Sequence, residues 1–190
     1  MSENTATKLS WDRNLQPTIG ISSCLIGENV CHDGGNLSND IICFEIAPWV
    51  NLQPFCPEVS AGMGVPRPEI KLVKEADHIY ALGIDNEPLN ATSRLSAAAK
   101  QAIHQWGRLL SGYIVKARSP SCGSGSTPLY NQQAATVGLT DGIFVRELKL
   151  AYPDLMIVDE SFFANKDTAL AFLNNCYYRH QLINKDMAPV

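Results

Sequence analysis

The 190-residue sequence has no surplus of positive charge: fifteen lysines and arginines stand against nineteen aspartates and glutamates, a formal charge of −4. A protein held on nucleic acid by bulk charge needs a basic face, so no stable nucleic-acid complex is expected, and only a local patch for one nucleotide stays open. No apolar run approaches the roughly 18 residues of a membrane helix; Ile41-Ile-Cys-Phe44 is typical of the longest. The first residues, Met1 to Lys8, carry neither a basic start nor an apolar core. No signal peptide is read there, and a cytoplasmic location without membrane attachment is expected. Internal repeats, low-complexity segments and a Gly-Lys-Ser/Thr phosphate loop are all missing. None of the six cysteines forms a Cys-x-x-Cys pair, which removes a zinc ribbon and a thioredoxin-like dithiol.

What is present is an ordinary globular balance, 45% apolar and 18% charged, with length enough for one domain. Residues 1–16 are mostly polar and read as a flexible lead-in, leaving 17–190 as a single α/β domain. β-Branched runs predict strands at Thr18–Ser23, Val50–Phe55, Tyr113–Arg118 and Leu155–Asp159. Glu69–Lys74 and His78–Leu82 suggest a strand pair. Apolar spacing of three and four predicts helices from Ser38, over Thr92–Leu110 with Gly112 as its stop, from Asp141 to Tyr152, and from Asp167 to about His180. This alternation suits a mostly parallel sheet of about five strands with helices on both faces, a Rossmann-like three-layer sandwich.

Ligands of such sheets gather outside the carboxyl ends of the strands. Cys24, Cys56 and Cys122 each follow a predicted strand, in turns marked by Gly27, Pro57 and Gly123. Turns of this kind free amide N–H groups to stabilise thiolate sulfur, and thiolates favour zinc, copper(I) or an iron–sulfur cluster. The competing reading is three small apolar residues at strand ends. Cys43 and Cys176 sit in apolar surroundings and read as core, whereas Cys31 is a candidate fourth ligand. Four scattered histidines keep a Cys–His hydrolase open without singling out a pair.

Glu58, two residues past Cys56, is placed to pass protons, with Asp33 and Glu160 as secondary candidates. The loop Ser119–Thr127 offers four serines and two glycines as a cradle for an anion, and Lys116, Arg118 and Arg67 add positive charge for a phosphate.

Four motifs occur in order: Ile21-Ser-Ser-Cys-Leu-Ile-Gly27, His32-Asp-Gly-Gly35, Phe55-Cys-Pro-Glu-Val-Ser-Ala-Gly-Met-Gly-Val-Pro-Arg67 and Lys116-Ala-Arg-Ser-Pro-Ser-Cys-Gly123. With Gly138 to Gly142 and Glu160 they resemble the thiouracil desulfidase (TudS) family over about residues 18 to 160. The resemblance implies a 4Fe–4S cluster on Cys24, Cys56 and Cys122, with a fourth iron left open to the thiocarbonyl sulfur. It implies removal of sulfur from thiolated uracil compounds, 4-thiouridine 5′-monophosphate foremost, with release of hydrogen sulfide. Such a reaction needs no net electron transfer, so neither flavin nor nicotinamide is expected, and iron–sulfur assembly machinery is the implied partner. Glu58 then shuttles protons, and Ser119 and Ser121 orient the base or the attacking water. Arg67, Lys116 or Arg118 meets the phosphate, with Asp33, Gly34 and Ser124 as further substrate contacts. One departure is Cys31-His32, where relatives tend to carry arginine or tyrosine, which makes Cys31 a candidate competitor for the open iron. Competing functions are a desulfidase acting on thiolated tRNA, a non-catalytic iron–sulfur or redox sensor, and a zinc-bound structural protein.

Overall fold

The computed structural model describes residues 16–84 and 88–186; most of the predicted lead-in, residues 1–15, lies outside them. Thr18–Ser22 (β1), Asn51–Phe55 (β2), Leu110–Val115 (β5) and Ile157–Asp159 (β8) form a parallel sheet in the order β2-β1-β5-β8. β5 is buried along its whole length, as a central strand covered on both faces must be. One face holds Ile19, Ile21 and Ile114 against Ala169, Phe172, Leu173 and Cys176 of helix α4 (Lys166–Asp186), which recur at helical spacing. The other face packs Leu110, Tyr113 and Val115 against Ala99 and Ile103 of α2 (Thr92–Trp106) and Phe144 and Leu148 of α3 (Ile143–Ala151). The three-layer α/β architecture expected from the sequence is present.

The strand count differs from the expected five, because a second sheet stands beside the first. The hairpin Ile70–Glu75 (β3) and His78–Gly83 (β4) pairs through β3 with Thr127–Tyr130 (β6), and β6 pairs with Thr136–Thr140 (β7). The order is β4-β3-β6-β7, with its own core of Ile70, Leu72, Ala81, Leu95, Leu129 and Ile143. Both hairpins are inserted into connections that leave the parallel sheet at its carboxyl edge, just after Cys56 and just after Cys122.

Several element boundaries differ from those expected. The helix expected from Ser38 is a short irregular one, a π turn at Ile42–Ile46 running into a 3-10 turn at Ala47–Trp49. Helix α2 stops at Trp106, and Gly112 is not its stop but part of β5, where a Cβ would come 2.6 Å from Cys176 Sγ. Asp141 does not cap α3; Gly142 does, and the Asp141 carboxylate instead accepts from Gly125 N–H and Lys149 Nζ. The strand before the serine-rich loop ends at Val115, leaving Lys116 and Arg118 in the loop. Cys176 is fully buried as expected, while Cys43 is only half-buried and shares a contact with Ser38 Oγ. No described helix is long and apolar enough to cross a membrane.

Candidate active site

The register of the parallel sheet fixes where the three cysteine turns begin. Ser22 lies opposite Phe55, so β1 and β2 end side by side, and Cys24 and Cys56 follow within two residues. Ile21 lies opposite Ile114 of β5, whose exit leads to Cys122. All three thiols line one cavity of about 510 Å³, whose wall is drawn from the edge of the parallel sheet and from the second sheet. Sequence reasoning placed the thiols at one sheet edge, and the structure brings them together there.

Each turn is held by short-range chemistry. Cys24 lies in a 3-10 turn closed by Gly27, at φ 92°, a conformation glycine adopts without strain. Cys56 precedes the short helix α1 (Pro57–Ser60), and the backbone amides of Val59 and Glu58 favour its thiolate form. The Cys122 turn is the most constrained. The N–H groups of Gly142, Ile143 and Phe144, which open α3 and have no partners within the helix, donate to the carbonyls of Gly123, Pro120 and Ser121. A Cβ on Gly142 would sit 2.5 Å from the Ser121 carbonyl and 2.8 Å from Cys122 N, so only glycine permits this approach. Thr127 Oγ1, at the start of β6, donates to Ser119 O at 2.8 Å and ties the second sheet to the same turn.

Burial pushes all four neighbouring thiols upward. Cys24 rises above its ordinary 9.0 through desolvation, then through the charges of Cys122, Cys31 and Cys56. Cys122 is pushed up to about 12 by burial and by Cys56, against a hydrogen bond from Ser22 that favours the thiolate. Cys56 is raised by burial against the amide donors and Arg67, and Cys31 by burial and Asp33. Without a cation the site therefore holds protonated thiols, and a bound metal group would deprotonate them.

No three described His, Cys, Asp or Glu side chains converge on one point as a single-ion site requires. Three soft thiols lining one cavity have the donor chemistry of an iron–sulfur site.

Beside the thiols runs a polar chain. Glu58 is 8% exposed. Its Oε2 accepts from Arg67 Nε at 2.6 Å and its Oε1 from Ser121 Oγ at 2.6 Å. Ser119 Oγ stands 3.1 Å from Ser121 Oγ and accepts the N–H groups of Ser121 and Cys122. Since Ser121 gives its one proton to Glu58, Ser119 donates to Ser121, and the chain has a direction. Glu58 is thus buried in an ion pair, not at a solvated mouth.

The expected phosphate contacts separate. Arg67 spends its remaining nitrogens on Gly64 O and Val30 O, at 3.0 and 2.7 Å. Lys116 Nζ is paired with Glu160 Oε1 at 2.6 Å, while Glu160 Oε2 accepts Ala117 N–H, so that carboxylate is a loop clamp. Arg118 lines the cavity with no ion-pair partner among the described residues. Its φ of 60° is costly for a non-glycine residue, of order 1 kcal/mol. Asp33 and Gly34 close a turn outside the cavity lining, where Gly35 N–H holds the Asp33 carboxyl below its usual value; Ser124 also lies outside. Lys71, on the anticipated strand β3, and Tyr130, on β6, line the cavity and were not anticipated; β6 itself was not among the expected strands.

The profile of the 2-thiouracil desulfurase family matches residues 19–160, three quarters of the chain. The chain belongs to that family. All three cysteine turns, Glu58 and both site serines fall inside the matched span. A solved structure of a [4Fe-4S]-dependent thiouracil desulfidase, TudS, superposes with a TM-score of 0.61 at 23% identity, covering 82% of this chain and 99% of that one. At that identity the likeness establishes a shared fold. No curated protein matches the chain.

Proposed function

We propose that the chain is an iron–sulfur-dependent desulfidase that converts thiolated uracil compounds to the uracil product and hydrogen sulfide. The observation that carries this reading is the meeting of three cysteine turns with the Glu58–Ser121–Ser119 chain at one cavity, in a member of this family. A 4Fe–4S cofactor is supported by the likeness to TudS, a [4Fe-4S]-dependent desulfidase, and Cys24, Cys56 and Cys122 would hold it. When bound, such a cluster with three protein ligands supplies a soft Lewis acid for the thiocarbonyl sulfur.

The remaining steps belong to the chain's own groups. Water adds to the ring carbon, the carbon–sulfur bond breaks, and the balance is C=S plus H₂O giving C=O plus H₂S, with no electrons exchanged. Glu58 takes the proton of the attacking water at Oε1 and returns it toward the departing sulfur, with Ser121 Oγ as the relay. Arg67 fixes the carboxylate from the opposite side, so the proton acceptor is aimed before substrate arrives. Ser119 orders the Cys122 amide and the Ser121 hydroxyl together. 4-Thiouridine 5′-monophosphate is the substrate we favour, because the cavity extends well past the space of one pyrimidine ring.

The test is iron and acid-labile sulfide per chain on protein purified without oxygen, beside sulfide release from 4-thiouridine monophosphate and 2-thiouracil. About four of each per chain, lost together when Cys24, Cys56 or Cys122 becomes serine, is expected. Stoichiometric zinc, or a loaded protein that releases no sulfide, would overturn the reading.

A further inference from the structure

The charged groups at the cavity divide into two sets. Arg67 and Lys116 are neutralised by Glu58 and Glu160 at 2.6 Å each. Lys71 and Arg118 line the same cavity, and no described carboxylate lies within ion-pair distance of either. Lys71 sits on β3 and is laid over Tyr130 of β6, with Nζ 5.8 Å from the ring centroid. β3 and β6 are adjacent parallel strands, so the pair is set by the second sheet's register and not by a surface loop. A lysine resting on an aromatic face and released from any carboxylate is a held cation, ready for an anion. Glu69, on the same wall, opposes it and also lacks a cation partner among the described residues.

We infer that Lys71, held on Tyr130 and acting with Arg118, is the specificity-determining cation of this cavity, selecting a pyrimidine nucleoside monophosphate over the uncharged nucleoside or base. The second sheet thereby reads the phosphate while the parallel sheet's edge carries the chemistry. The inference rests on the desulfidase reading only for the identity of the ring. A phosphate carries about −1.5 to −2 charges at neutral pH, so two unpaired cations outweigh the single opposing carboxylate.

The experiment is titration calorimetry of uridine 5′-monophosphate and of uridine on the anaerobically purified protein, with Lys71→Met, Lys71→Arg and Glu69→Gln. Uridine monophosphate should bind at least about tenfold tighter than uridine, the scale of one charge-assisted contact. Lys71→Met should weaken the monophosphate about tenfold and leave uridine unchanged, Lys71→Arg should restore most of the preference, and Glu69→Gln should increase it. Equal binding of the two ligands by the unaltered protein, or equal loss of both in Lys71→Met, overturns the inference. Sulfide release from 2-thiouracil, run in parallel, tests the desulfidase reading separately. A protein that releases none yet prefers the monophosphate through Lys71 sinks that reading and leaves the anion-selecting wall in place.

Discussion

Replacing Arg67 by methionine keeps most of the side chain's apolar stem and removes its charge and its donors. Four hydrogen bonds disappear, to Glu58 Oε2, Gly64 O, Val30 O and, at 4.0 Å, Cys56 Sγ. The larger effect is on Glu58, whose side chain is 10% exposed and loses its only described ion-pair partner. Breaking a buried pair from one side costs about 3–5 kcal/mol, because the surviving charge is stranded in a medium that solvates it poorly. For a chain of this size about 4 kcal/mol corresponds to roughly 8–16 °C in Tm. The assay is urea unfolding of the reduced protein followed by circular dichroism, for Arg67→Met, Glu58→Gln and the double variant. If stranded charge is the cause, the double variant should recover about 2 kcal/mol relative to Arg67→Met, a coupling that contacts alone would not give. Lysine at position 67 should rescue little, since one ammonium cannot span a carboxylate and two carbonyls in that fork. A loss under about 1 kcal/mol in Arg67→Met, or no recovery in the double variant, would refute the assignment of Arg67 as the holder of Glu58.

Glu58→Gln should keep iron and sulfide at the unaltered level and lower turnover by about 10² or more, the range of a lost general base; full turnover in a loaded Glu58→Gln protein removes the proton shuttle. Cys31→Ser should retain the cluster, read by its visible absorption, whereas Cys122→Ser should not. Gly142→Ala should cost about 1–3 kcal/mol and lower cluster occupancy, because the added methyl lies 2.5 Å from the Ser121 carbonyl; a crystal-clear check is iron content per folded chain. Cys176 is raised above 9.0 by burial, so its neutral form is favoured by folding. That contribution is intact below about pH 9 and declines as pH rises through the folded value, which alkaline urea titrations of unaltered protein and Cys176→Ala would compare.

Local signals in the sequence were enough for the cysteine turns and not for the second sheet. Cys24, Cys56 and Cys122 follow strands whose ends are written in nearby glycine, proline and β-branched residues, so their common edge was legible. β6 and β7 are four and five residues long, include Pro128 and Gly138, and β7 turns Val137 and Leu139 outward at 51% and 65% exposure. β6 buries only Thr127 and Leu129 and β7 buries no residue, too little pattern to recognise, and what orders them is the non-local pairing of Leu72 with Leu129. The same holds within the site. Arg67 and Glu58 are nine residues apart, but which carboxylate a cation takes depends on the turn between them, and the three candidate cations, Arg67, Lys116 and Arg118, were indistinguishable until Arg67 and Lys116 were seen paired.

The second sheet is also what makes the thiol site a cavity. Its two hairpins lie in the connections that begin at Cys56 and Cys122, the first after helix α1 and a loop, so the connections that start at two of the thiols also build the opposite wall. Thr127 and the α3 amides grip the Cys122 turn from two elements at once, and Ile143 of α3 extends into the second sheet's core. Displacing β6 therefore moves both the ligand turn and Tyr130, on which Lys71 rests. A fold wired this way tolerates changes in β7, which faces water and touches neither function, far better than changes in β3 or β6. Substitutions that weaken substrate charge selection without disturbing the cluster should then be confined to side chains on the cavity face, while backbone-perturbing changes in β6 should cost both together.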